Sequence, residues 1–205
     1  MQGWAAFAGA AAIAWAAKKG SDTFGAWRQQ KVAERKSAQA EQILTATYNA
    51  RRALGRVRSP WMHGFELTEA ESKLKEDADQ WDMQSKDRQK RLTTLQAYYH
   101  RLDHVKEERE LLEQCLAMAR ALFGEEVEQS IEKLLHQFWI VQVDAESYAD
   151  DDGADQDFTK KIRRGMYDIS AREGEVNEVT IAIGNSVDVI EAHCLPALRI
   201  EKTSS

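Results

Sequence analysis

Proline and cysteine are scarce in this chain: Pro60, Pro196, Cys115 and Cys194 are the only ones among its 205 residues. With so few prolines, there are few points at which an α-helix is forbidden. Both cysteines lie among apolar residues at helical spacing, and two isolated cysteines do not make a disulfide framework. The sequence therefore favours long helices with buried free thiols.

Motifs that carry enzyme chemistry are missing as well. The chain has no glycine-rich phosphate loop, no nucleophile elbow and no Cys-x-x-Cys pair. A helical core built of Leu, Val, Tyr and Trp also offers no buried Ser/His/Asp set for acyl transfer. We predict a protein that is not an enzyme and that uses no cofactor.

Two polar clusters raise the question of a metal. His100 and His104 are four residues apart with Glu107 and Glu108 one turn further, a spacing that could hold Zn²⁺ if another ligand came from elsewhere. The acidic run 150–157 lacks the twelve-residue loop closed by a bidentate glutamate that calcium sites of the EF-hand type require. We interpret both clusters as solvated surface and predict no metal site.

Apolar residues recur at alternating steps of three and four along most of the chain, whereas 30% of the residues are charged. This spacing is typical of amphipathic helices that each bury one stripe. We predict an all-α fold, an elongated antiparallel bundle of coiled-coil-like helices (residues 20–205) behind an apolar N-terminal helix (residues 1–19). The predicted bundle helices cover about 23–58, 68–123, 125–149 and 157–199.

Local signals set these boundaries. A break with N-cap residues is expected at 20–23. The helix that follows this break is expected to end just before Pro60. Thr68 followed by Glu71 forms a capping box, and Gly124 separates the next two helices. The 68–123 helix is long enough that we expect a bend at 103–108. Residues 179–183 alternate like a strand, but no partner strand occurs, so we predict helix there.

The first residues form an uncharged run. Residues 3–17 contain nine alanines and no charge, and as a helix they cover roughly 23–26 Å, a little less than the ~30 Å hydrocarbon core. We predict a single membrane span with the N-terminus outside and the body in the cytoplasm, because positive charge only follows the run. A soluble helix packed on the body and a helix lying in the membrane interface are the alternatives. The predicted anchor residues are Trp4, Phe7, Ile13, Trp15, Lys18 and Lys19.

Charge is divided unevenly along the chain. Residues 1–65 carry ten Lys/Arg against three Asp/Glu, a net charge of +7, whereas residues 66–205 carry −13. A basic stretch that directly follows an apolar run suits the surface of an anionic membrane, so membrane lipid is a predicted partner. The acidic body would repel nucleic acid, which makes nucleic acid an improbable partner.

An arginine patch ends the predicted 23–58 helix. Its members could hold phosphates of lipid or nucleic acid, or could pair with the acidic residues Glu66, Glu69 and Glu71, and we favour the pairing. Three aromatic residues, Trp61, Phe65 and Trp81, could contact a protein partner. The candidate anion or partner contacts are Arg51, Arg52, Arg56, Arg58, Trp61 and Phe65.

The segment QAEQILTATYNARRALGRVRSP at 39–60 resembles a pattern of small bacterial, N-terminally membrane-anchored helical proteins of unknown function. In this pattern a helix with Tyr-x-Ala-Arg spacing closes on Arg-Ser-Pro. The matching residues here are Tyr48, Ala50, Arg51, Arg58, Ser59 and Pro60. The resemblance covers about a tenth of the chain and implies a bacterial, membrane-tethered helical protein, with no catalytic residues.

Two functions follow from these features. The first hypothesis is a non-enzymatic, membrane-anchored helical scaffold whose cytoplasmic bundle binds a protein partner or self-associates. The alternative is a soluble helical module that binds nucleic-acid or lipid phosphate through the arginine patch. Salt-insensitive self-association would favour the first, and salt-dependent binding lost on substituting the arginines would favour the second.

Overall fold

The computed structural model describes residues 3–77, 81–168 and 176–199, without the side chains of 3–14, 16–17 and 21–22. Within these ranges the fold is an all-α helical bundle with no strand, which confirms the predicted class. A short 3-10 turn, Trp81–Met83, adds to eight α-helices. The helices are α1 Gly3–Val57, α2 Gly64–Asp77, α3 Lys86–His104, α4 Lys106–Glu113, α5 Leu116–Phe123, α6 Glu125–Asp150, α7 Gln156–Met166 and α8 Glu178–Leu198.

α1 is one continuous helix of 55 residues, so the predicted break at 20–23 is wrong. Glycine within a helix costs about 1 kcal/mol but does not end one by itself. Thr23, predicted as an N-cap, instead donates its Oγ1 hydrogen to the carbonyl oxygen of Lys19 at 2.8 Å, one turn earlier in the same helix. The separate helix 1–19 and the helix 23–58 are therefore a single element.

The bundle core involves only the second part of α1. Ala40 is the first residue of the helix that is recorded as buried, and Ile43, Leu54 and Val57 follow it on the same face. Their 3-4 spacing places them on a stripe that packs against α8 and against the stretch from α3 to α6. α6 contacts α1, α3, α4, α5, α7 and α8 and contributes the longest run of core residues.

The predicted helix 68–123 is divided into several helices. α2 begins at Gly64, so Thr68 lies inside it rather than at its start. The interruption at Val105, where φ is −111° and ψ is 17°, lies in the window 103–108 expected to bend. A further turn around Cys115 separates α4 from α5. Each interruption lets the apolar stripe follow α1 and α6, since an unbroken helix would carry it out of contact.

The last predicted helix, 157–199, is replaced by two. Asp155 caps α7 by accepting hydrogen bonds from the backbone N–H groups of Asp157 and Phe158, and Asn177 caps α8 by accepting one from Thr180. Side-chain caps of this kind satisfy N–H groups that have no partner within the helix. The strand-like alternation at 179–183 is helical, as predicted, and lies within α8.

The predicted single-pass membrane localisation is wrong. In the part of the chain that the structure describes, no helix is long and apolar enough to cross a membrane. The physical reason lies in the composition of the uncharged run: only fifteen residues separate Gln2 from Lys18, and nine of them are alanines, which contribute little to insertion. The predicted orientation, N-terminus out with the body in the cytoplasm, is withdrawn with it.

Candidate functional site

The segment of α1 before the core is an exposed helical arm, defined here as Trp15 to Lys36. Every side chain of the arm that the structure describes is exposed. Four of them are large and apolar, and between 52 and 66% of each remains accessible: Trp15, Phe24, Trp27 and Val32. Large apolar groups scattered singly are ordinary on a protein surface, but four of them along a helical stretch with no buried side chain among those described mark a candidate contact surface.

The arm is also basic. It carries six Lys/Arg against two Asp/Glu, a net charge of +4. The rings of Phe24 and Trp27 stack with centroids 5.8 Å apart, and Lys19 Nζ lies 6.0 Å from the centroid of the Trp15 ring. Of the predicted anchor residues, Trp15, Lys18 and Lys19 are thus exposed on the arm. The side chains of Trp4, Phe7 and Ile13 lie outside the described residues.

The arginine patch is divided between surface and interior. Arg51, Arg52 and Arg56 are exposed, whereas Arg58 is 1% exposed. Arg56 forms an ion pair with Glu108 of α4, and Arg52 donates to the side-chain oxygen of Asn49 at 2.6 Å. The three exposed arginines could still meet a phosphate or an acidic partner, but the guanidinium of Arg58 is not available to one.

Arg58 joins three helices at the end of α1. Its guanidinium donates to the carbonyl oxygens of Arg164, Gly165 and Tyr167 at the end of α7, at 2.9 to 3.1 Å. It also donates to the side chains of Asn177 and Thr180 at the start of α8, at 3.0 and 3.1 Å. Burial lowers its pKa, and Asp168, 3.8 Å away, partly opposes that shift. The arginine thereby satisfies α7 carbonyls that have no helical partner.

Other arginines cap helix ends in the same way. Arg101 of α3 donates to the carbonyl oxygens of Val57, Ser59 and Trp61, and pairs with Glu66 at 2.8 Å. Positive charge at a helix C-terminus also complements the helix dipole. The expected pairing of the arginine patch with Glu66 is therefore wrong, because Arg101 occupies that carboxylate.

Trp61 and Phe65 are both exposed, whereas Trp81, also predicted to contact a partner, is buried and not available to one. Phe65 stacks on His63 with ring centroids 5.6 Å apart. Trp61 is fixed through its backbone, since its carbonyl oxygen accepts from Arg101 at 2.6 Å. The structure thus holds the backbone at Trp61 while leaving the side chains of Trp61 in the loop and Phe65 in α2 accessible.

A cleft between α6, α7 and α8 contains residues that the sequence did not point to. Its volume is about 680 Å³. On the α6 side lie Gln137, Ile140 and Asp144, at steps of three and four, with the exposed ring of Trp139 beside them. Gln137 and Asp144 each precede a core residue of α6, so spacing alone marks them as the edge of a stripe. Only the packing of α7 and α8 turns that edge into a cleft.

Gln137 and Asp144 are polar side chains without adequate partners. The Oε1 atom of Gln137 is buried and accepts no hydrogen bond from the described residues. A buried acceptor without a donor costs about 1–3 kcal/mol. The half-buried carboxylate of Asp144 likewise has no hydrogen bond or ion pair there, and it lies against Gly165 where a Cβ atom would overlap its Oδ2. Burial raises the pKa of Asp144 to about 6, although Lys161 and Arg58 oppose the shift.

We expect Asp144→Asn to stabilise the fold at neutral pH. A carboxyl whose pKa is raised on folding destabilises the folded state increasingly as the pH rises from about 4, where the unfolded chain ionises, and the loss is complete above about pH 6. The variant should melt a few degrees higher than the wild type at pH 8, and the difference should disappear near pH 4. Circular dichroism melts across this range measure the effect. Asp188→Asn, an exposed site within α8, should show no such pH dependence.

Metal ligands do not gather in the described residues, where no group of three or more His, Cys, Asp or Glu side chains could hold an ion. Comparison of the chain with protein-family models, with curated proteins and with solved structures gives no match in any of the three. The resemblance at residues 39–60 therefore stays a prediction. Function has to be inferred from the residues and their geometry.

Proposed function

We propose that this protein is a non-enzymatic interaction protein, a helical bundle that presents its arm to another protein chain. The observation that carries the proposal is the exposure of the whole described arm on a helix that reaches the core only at Ala40. Helices without tertiary contacts are marginally stable in water, and most helical stability in proteins comes from packing. A partner that covers the stacked pair Phe24 and Trp27 would supply that packing.

A second copy of the chain is the partner that the charges favour. The arm carries +4, whereas residues 66–205 carry −13. Complementary charge guides association, and burial of the aromatic side chains would supply most of its affinity. The proposal includes antiparallel, coiled-coil-like packing within the bundle. It is supported by two contacts, which indicate that α1 runs in the opposite direction to the stretch from α4 to α5. Arg56, near the end of α1, pairs with Glu108 of α4, whereas Lys36, earlier in α1, lies over the ring of Phe123 at the end of α5.

The test is the self-association of full-length protein in sedimentation velocity over a range of concentrations. We expect concentration-dependent dimers, and Phe24→Ser with Trp27→Ser should raise their Kd by at least about tenfold, since buried aromatic anchors carry much of the energy of an interface. Serine has a helix propensity close to those of Phe and Trp, so the arm should stay helical.

Phe158→Ser is the matched control, because Phe158 is an exposed phenylalanine of α7 outside the arm. It should associate like the wild type. A wild-type chain that stays monomeric at every concentration, or an arm variant that associates unchanged, would contradict self-association through the arm.

Phosphate binding is the second candidate function. Arg51 and Arg52 are exposed and have no acidic partner within the described residues, so both could meet a phosphate. Binding of this kind weakens steeply with added salt. Binding to phosphate-bearing lipid vesicles that is lost at high salt and in Arg51→Glu with Arg52→Glu would favour it over association through the aromatic side chains.

A further inference from the structure

The α6–α7–α8 cleft has the composition of a small-molecule site. Its volume of about 680 Å³ falls within the range of ligand pockets, about 300–1,000 Å³. Its walls combine apolar side chains, among them Ile140, Val143 and Val179, with a few polar groups. Trp139 is exposed on the rim, where its ring stacks on His136 with centroids 5.0 Å apart. Such a wall favours a ligand with a ring-sized apolar body.

The unsatisfied groups in the cleft are acceptors. Asp144 presents a half-buried carboxylate to the cleft, and Gln137, in the same lining, carries a buried amide oxygen; neither receives a hydrogen bond in the part of the chain that the structure describes. Seven residues separate them on α6, which is two helical turns or a rise of about 10.5 Å. A ligand of this cleft should therefore carry two hydrogen-bond donors, one at each end of an apolar body.

The charges around the cleft limit the ligand further. Lys161 and Arg164 of α7 oppose Asp144 of α6 and Glu178 of α8, so the formal charges of the lining cancel. A phosphate or polycarboxylate would meet the two carboxylates, and a polyamine would meet the two basic residues. A monoamine fits best, because its single ammonium group needs only the unpaired carboxylate.

We propose that this cleft binds a small primary amine carried on an aromatic body, with its ammonium group donating to Asp144. A hydroxyl at the far end of the ring donates to the amide oxygen of Gln137, which is buried until the amide turns toward the cleft. The ring lies along Ile140 and beside Trp139. This site is separate from the arm, so the success or failure of either proposal leaves the other standing.

The first experiment measures the affinity of the full-length protein for three probes by isothermal titration calorimetry at pH 8. The probes are tyramine, phenethylamine, which lacks the hydroxyl, and 4-ethylphenol, which lacks the amine. We expect tyramine to bind most tightly. Asp144→Asn should weaken both amines by about tenfold or more, because hydrogen bonds between ions are the strong ones, and should leave 4-ethylphenol unchanged.

Two further variants test the site without removing the charge of Asp144. Gln137→Leu should weaken tyramine and leave phenethylamine unchanged, because only tyramine carries the second donor. Gly165→Ala should weaken both amines, since the new methyl group displaces the carboxyl of Asp144 while the helix gains a better helix former. Glu178→Gln, on the opposite wall, is the control and should change neither affinity by as much as Asp144→Asn.

Affinity should also fall as the pH drops below about 6, where Asp144 becomes protonated. The other charged groups near Asp144 are Lys161, Arg164 and Glu178 in the lining, together with Arg58. His136 stacks on Trp139 rather than facing Asp144, so the fall in affinity should persist in His136→Gln. Failure of all three probes to bind the wild type would overturn the site. Amine affinities unchanged by Asp144→Asn would overturn it as well, and equal affinity for tyramine and phenethylamine would remove Gln137 from it.

Discussion

Arg58→Met should unfold the protein at a temperature about 10 °C lower than the wild type, with a loss of about 3–5 kcal/mol in the free energy of unfolding. Methionine fills much of the same space but donates no hydrogen bond. Three carbonyl oxygens at the end of α7 and the side-chain oxygen of Asn177 would lose the guanidinium as a donor within a buried junction. The carbonyls of Arg164 and Tyr167 would keep the side-chain amide of Asn177 as a donor, whereas that of Gly165 would keep no side-chain donor among the described residues. Thermal and denaturant unfolding followed by circular dichroism measures the loss.

The matched control lies two residues away on the same helix. Arg56 is 61% exposed and makes one ion pair with Glu108, so Arg56→Met should cost less than about 1 kcal/mol. Arg58→Lys should fall close to Arg58→Met, because an ammonium group cannot reach five acceptors arranged around a planar guanidinium. Equal and small losses in all three variants would show that α7 and α8 do not depend on this arginine.

The parts of the fold that rest on periodicity could be predicted from the sequence. The helix predicted from spacing at 125–149 closely matches α6, Glu125–Asp150. The spacing picks out seven apolar positions, of which Tyr148 is partly buried and the other six are buried: Val127, Ile131, Leu134, Phe138, Val141 and Ala145. A stripe of large apolar residues can be satisfied only by burial, so the sequence determines it locally.

The burial of Arg58 could not be predicted from residue type, because charged side chains are rarely buried. One signal was present, since Ala50, Leu54 and Arg58 follow one another at steps of four and the first two are core residues. That spacing places Arg58 on the inner face of α1. Its acceptors lie more than a hundred residues later in the chain, and no local pattern indicates them.

The cleft depends in the same way on distant packing. Gln137 and Asp144 look like ordinary polar positions beside an apolar stripe until α7 and α8 close over them. The prediction for the uncharged run 3–17 was wrong for the opposite reason. The run suggested a span, but its alanines are too small to supply enough hydrophobic drive, and the helix continues to Val57.

Phe138→Ala should be among the most damaging single substitutions in the bundle, whereas Trp139→Ala next to it should be nearly neutral. Phe138 is 1% exposed at the centre of α6, and its truncation leaves a cavity that costs about 3–5 kcal/mol. Trp139 is larger but 56% exposed, so its removal should cost less than about 1 kcal/mol. Urea unfolding of the two variants under one set of conditions measures both losses.

The pair also separates stability from binding. Trp139→Ala should fold like the wild type and yet weaken the aromatic probes at the cleft, since the ring forms part of its wall. Such a result would mean that α6 serves two purposes with adjacent residues, because neighbouring side chains on a helix point about 100° apart. A large loss of stability in Trp139→Ala would instead assign its ring to the packing of the bundle. The cleft would then lose the aromatic wall on which its preference for a ring depends.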